Sequence, residues 1–142
     1  MLLCLIMGCL VHYKGLLTAQ EKKQTLSTLQ NKIYHIHAGH DGNIVGQLDG
    51  CILEVEGTQF FRHIFVTSWN VLDAGDGSSP YIGRLIRRGI QWVVEDKTTK
   101  GILVLEGLSN LIDVEEGIIV MVGGYVIAPQ KIQVVHARVL HE

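Results

Sequence analysis

The stretch Gly117–Glu142, GIIVMVGGYVIAPQKIQVVHARVLHE, decides the fold. Two strongly apolar runs flank Pro129, and nothing after them has the composition of a terminal helix. Ile118 to Val122 is apolar at every position, as expected of a strand covered on both faces or crossing a barrel. Val135, Ala137 and Val139 alternate with His136 and Arg138, which predicts the first three buried and the last two more exposed. A domain built this way ends on a strand of its own core.

Working outward, the pattern is β almost throughout after Lys32. Strands are expected near Ile33–His37, Asn43–Leu48, Cys51–Glu56 and Phe60–Trp69, followed by a loop, Ala74–Pro80 (AGDGSSP), with the densest turn chemistry in the chain. Five more strands follow, at Tyr81–Arg88, Ile90–Lys97, Gly101–Glu106, Ile118–Ile127 and Lys131–Leu140. Between the third and fourth of these, Leu108, Leu111, Ile112 and Glu115 have helical spacing, which predicts one or two turns of helix. Three strands, a short helix and two strands is the order of the OB-fold, a partly open Greek-key barrel. The expected protein is therefore all-β: an OB-like five-stranded barrel over 80–142, a β-rich extension over 33–79, and an apolar segment with a polar linker over 1–32. Val45-Gly46-Gln47-Leu48 and Ile82-Gly83-Arg84-Leu85 form a weak echo, of the kind that hairpins of similar twist produce.

Composition narrows the classes. A chain of 142 residues has room for one ordinary domain, and 47% apolar residues with 18% charged argue for a filled core. Sixteen glycines against two prolines favour short strands and tight turns. The net charge of −2 gives no overall attraction to nucleic acid, so such binding needs a local basic patch. Three cysteines, without a CxxC pair, argue against a disulfide framework or a cysteine-built zinc site. Met1–Val11 is apolar but about half the ~20 residues that span a bilayer, and it lacks a basic start. Ile6-Met7-Gly8-Cys9 faintly resembles a lipobox, which would make Cys9 a lipid anchor. Thr18–Lys32 is polar and reads as a short helix or linker.

Tyr81–Glu142 resembles small accessory OB domains. Trp69-Asn70-Val71, Asp76-Gly77-Ser78, Gly83-Arg84-Leu85, Gly117-Ile118, Gly123, Pro129 and Ala137-Arg138-Val139 fall in the order seen in the smallest subunit of the CST telomere-capping complex. That resemblance implies an accessory subunit binding single-stranded nucleic acid or a larger OB-fold protein partner, in the nucleus. Glu106-Gly107, Glu116-Gly117 and Val139-Leu140-His141-Glu142 resemble the haem-chaperone family CcmE as well. This second resemblance implies an exported or membrane-anchored barrel with a ligand such as haem. Secreted bacterial OB domains fit comparably.

Two constellations bear on chemistry. His35, His37 and His40 lie close in sequence; on a strand the first two share a face about 7 Å apart, and a turn at Gly39 would fold back the third. Three imidazoles so placed would hold zinc with a position open for water, as in a metal-dependent hydrolase. The run resembles the HxHxDH motif of metallo-β-lactamase-like hydrolases, but Gly39 stands where that motif needs aspartate. The reading adopted is a histidine-rich strand end without metal or other cofactor. Basic residues gather at Arg84, Arg87, Arg88, Lys97 and Lys100, the expected contacts for single-stranded nucleic acid, with Trp92, Tyr81 and Tyr125 available for stacking. Trp92 alternates with Ile90 and Val94, which places it toward the core. No GxSxG, P-loop or GxGxxG is present, so the expected function is non-enzymatic binding.

Overall fold

A computed structural model describes residues 8–97 and 99–142. Instead of one domain, the chain forms two compact units that divide between Ser78 and Ser79. Each is a closed five-stranded barrel. Ser79–Glu142 suffices to close such a sheet on itself, so a length that suits one ordinary core holds two.

The first barrel consists of β1 (Cys9–Gln20), β2 (Lys23–Thr28), β3 (Ile33–His37), β4 (Ile52–Phe60) and β5 (His63–Asp73), in the order β1-β2-β3-β5-β4. All neighbours are antiparallel except β3 and β5, which run parallel, and β1 closes the ring against β4. The polar linker expected over Thr18–Lys32 is the end of β1 and all of β2. Its polarity misleads because only Leu26 and Thr28 of β2 are buried. Glu21 and Asn31 make the adjoining turns at positive φ without glycine or proline to mark them. The strand expected at Asn43–Leu48 is instead α1 (Gly42–Val45) and the turn after it, entered through a 3₁₀ turn at Gly39–Asp41. Ile44, Val45 and Leu48 are all buried, and spacing of one and four residues suits a helical turn as well as a strand. The single strand expected over Phe60–Trp69 is broken at Phe61-Arg62, where Phe61 takes a left-handed conformation and the chain reverses from β4 into β5.

The second barrel repeats the plan with β6 (Tyr81–Arg88), β7 (Gln91–Asp96), β8 (Ile102–Glu106), β9 (Ile119–Ala128) and β10 (Lys131–Leu140), in the order β10-β8-β7-β6-β9. Here β8 and β10 are the parallel pair, and β6 closes the ring against β9. The short helix expected after β8 is a 3₁₀ turn, Leu108–Asn110, whose Leu108 is buried with Leu85, Val94, Leu105, Val120, Val122, Ile132 and Val134. The last strand departs from its expected register. Val135 is 57% exposed because a bulge falls between Val134 and His136, so Ile132 and Val134 point inward before it and Ala137 packs on the core after it.

The two barrels match position by position. Leu17 donates its N–H to the Cys51 carbonyl and accepts from the Gly50 N–H, both at 2.9 Å. Leu85 does the same with Ile118 and Gly117, both at 2.8 Å. Gly50 and Gly117 both have positive φ. A Cβ at Gly15 would run into the Ser27 carbonyl, and one at Gly83 into the Glu95 carbonyl. Leu17 and Leu85, Gly50 and Gly117, His35 and Val104 are separated by 67 to 69 positions. The echo noted in the sequence is a different one: it pairs the last residue of α1 and the turn after it, Val45–Leu48, with a strand, and the two are not structurally equivalent.

Between the units, Asp73 accepts from the N–H groups of Gly75 and Gly77, and Asp76 accepts from the N–H and hydroxyl of Ser78. The expected loop thus follows the Asp-Gly-Ser turn chemistry of its sequence. The expectation for Met1–Val11 falls mostly outside the described residues; from Cys9 onward that segment is β1. Cys51 is buried as a thiol, and Cys9 is disulfide-bonded. Among the described residues, no helix is long and apolar enough to cross a membrane.

Candidate functional site

The chemically distinctive surface is the parallel seam of the first barrel. Along β3, Tyr34 and Ile36 point inward, so His35 and His37 must point outward. Along β5, Ile64 is fully buried, so His63 and Phe65 face out. The register sets His35 beside His63 and His37 beside Phe65. Their rings form a run: His35 on His63 at 5.2 Å, His63 on His37 at 5.2 Å, and His37 on Phe65 at 4.9 Å. The planes lie within 25° of one another, and Phe60 closes the run edge-on against Phe65 at 6.0 Å. On β2, Thr25 sits beside His35 and Lys23 follows on the same outer side.

A hydrogen bond of 3.0 Å joins His37 Nε2 to His63 Nδ1, which requires one ring to donate and the other to accept. Burial lowers the His37 pKa from its ordinary value, and the neighbouring charges of His63 and His35 lower it further. The seam at neutral pH therefore presents a stacked π surface in which His37 is uncharged. Phe65 is 49% exposed, so this surface is open to a flat ligand.

The grouping of His35, His37 and His40 that the alternative, a metal-dependent hydrolase, would need is not assembled. His40 lies exposed in the 3₁₀ turn, and His63 takes the place beside His35 and His37 instead. Among the described residues no group of three His, Cys, Asp or Glu side chains is arranged to hold a metal ion.

The predicted basic set is divided. Arg84 donates to the Gly117 carbonyl at 2.6 Å and pairs with Glu142 at 3.1 Å. Arg87 and Arg88 end β6, the Arg87 guanidinium lying 5.6 Å over the Trp92 ring and donating to the Gly89 carbonyl. Lys97 and Lys100 lie beyond the far end of β7. Six residues of strand, roughly 20 Å, separate Arg87 and Arg88 from the two lysines, whereas Arg84, opposite Glu95, lies toward the lysine end but is turned to Glu142. Trp92 packs against the core under Arg87, while Tyr81 and Tyr125 are more exposed.

His63, Phe65 and Phe60 escaped the sequence reading. Their signal is the outward alternation His63-x-Phe65, which matches His35-x-His37, but it becomes visible only once β3 and β5 are known to be parallel neighbours. No protein-family model matches the chain, and no curated protein is significantly similar to it.

Proposed function

We propose that this chain is a non-enzymatic binding module of two tandem OB-like barrels, the first of which holds single-stranded nucleic acid on its ring face. The strand order supports the OB reading. In each unit a helical turn joins the third and fourth strands, and the parallel third and fifth strands complete the ring. The observation that carries the function is the exposed run His35–His63–His37–Phe65. Such rings accept bases regardless of sequence, because every base has a π face. They lie beside β2 and the β4–β5 turn, in the region OB barrels use for ligands.

Two stacked bases contribute about 2–6 kcal/mol. With few cations nearby, affinity is modest and falls with salt by ~0.7 per phosphate contact on a log–log scale. Fluorescence anisotropy with a labelled oligothymidine at low salt tests this. The triple change His35→Ala, His37→Ala, Phe65→Ala is expected to weaken binding at least tenfold, whereas Arg84→Ala, Arg87→Ala, Arg88→Ala leaves it unchanged. No binding by the parent, or an unchanged ring variant, removes the reading. Haem titration of the same protein then tests the exported-ligand alternative, with His37 and His63 as the first side chains to replace.

A further inference from the structure

The two ends of the first barrel differ. One is closed by α1 through Ile44, Val45 and Leu48. At the other, the start of β1 meets the β2–β3 and β4–β5 turns. There, depressions of about 450 and 270 Å³ share Lys32 and Tyr34, and so form one groove. The rings of Tyr13 and Tyr34 stack beneath it at 4.6 Å. The Tyr34 hydroxyl lies 3.3 Å from that of Tyr13, which donates to Gln59 at 2.7 Å. Burial, followed by the hydrogen bond and charge of Tyr34, pushes the Tyr13 pKa up to about 12. Tyr13 therefore remains a neutral donor.

The groove walls carry Lys14, Lys32 and Arg62, and no carboxylate lines either depression. Lys14 lies 3.7 Å from Glu54, but Lys32 and Arg62 have no acidic partner within ion-pair distance among the described residues. Two unneutralised cations on one concave surface repel each other and focus a positive potential into it. The fold does not require them. At the matching positions of the second barrel stand Gly101 for Lys32, Gln130 for Arg62 and Ile82 for Lys14.

We propose that this groove binds a phosphate monoester, with Arg62 and Lys32 on the phosphate oxygens and the tyrosine pair under the attached sugar or ring. Arginine offers two parallel N–H donors to phosphate, and lysine adds a point charge. None of the rings of His35, His37, His63 and Phe65 lines the groove, and the phosphate comes either from a free nucleotide or from the end of a strand.

Calorimetric titration of the full chain with adenosine, AMP and inorganic phosphate tests the site. AMP is expected to bind at least tenfold more tightly than adenosine, and Lys32→Gln with Arg62→Gln is expected to abolish that difference while the melting curve stays put. Shifts of the Tyr13 and Tyr34 ring resonances on adding AMP locate the site independently of any variant. Oligothymidine with and without a terminal phosphate then separates the sources. A gain with the phosphorylated strand assigns the site to strand ends, and a gain confined to AMP assigns it to free nucleotides. Equal affinity for AMP and adenosine, or an AMP preference that survives the double substitution, overturns the proposal.

Discussion

The two barrels share a frame and differ in what they display. Ile64 and Ile132 are each fully buried on the closing strand, and Leu17 and Leu85 make the same pair of backbone bonds. At the parallel seam the likeness stops. Where the first barrel carries His37, His63 and Phe65, the second carries Glu106, Lys131 and Gln133, and Lys131 pairs with Glu106 at 2.7 Å. The seam can therefore be closed by an ordinary ion pair, and the rings are not a requirement of closure. Positions fixed by packing are repeated, and positions facing water have diverged.

The strongest test of the shared frame is at its core. Ile64→Ala and Ile132→Ala should each cost about 2–5 kcal/mol, because neither fully enclosed site lets water fill the space left behind. Urea titration measures both, and a mild effect in only one barrel would break the equivalence. Gly15→Ala and Gly83→Ala come next, at about 1–3 kcal/mol each, since an added methyl meets a neighbouring strand's carbonyl.

The seams should separate under acid. Because the His37 pKa is lowered in the folded state, protonation favours unfolding. The stabilisation is present above the ordinary histidine value near 6.5 and is lost as pH falls below it. Melting followed at the first-barrel Trp69, in a Trp92→Phe background, should show a decline below about pH 6.5 that His37→Gln reduces. A decline unchanged by that substitution would place the proton elsewhere. The smallest effect belongs to the second seam. Lys131→Ala should change stability by less than about 1 kcal/mol, as both partners are part-exposed. A larger loss in urea would make that ion pair structural.

The second barrel was legible strand by strand, whereas in the first only β3 and parts of β4 and β5 were, for physical reasons that particular residues show. Strands β6 to β10 are dense in Val, Ile and Leu, and Gly89 and Pro129-Gln130 mark two of their turns. The first barrel turns at Glu21-Lys22 and Phe61-Arg62, residue types that carry no turn signal. Its β2 buries little more than Leu26 and Thr28 in a polar run. Val135 misled in the opposite direction, since a bulge shifts the phase of a strand without altering its composition. The histidine motif could be read, but its partners stand 26 to 28 positions away and only the parallel pairing brings them together.

Each ring is completed by the strand that is made last, and this orders events during synthesis. Until His63–Asp73 has emerged from the ribosome, β3 and β4 each present a bare edge ready to pair with another chain. Once it has emerged, the first ring can shut with the second still unmade, and the same exposure begins again until Lys131–Leu140 arrives. Translation thus passes through two separate windows of vulnerability to aggregation, and a premature stop inside β10 leaves the second one permanently open.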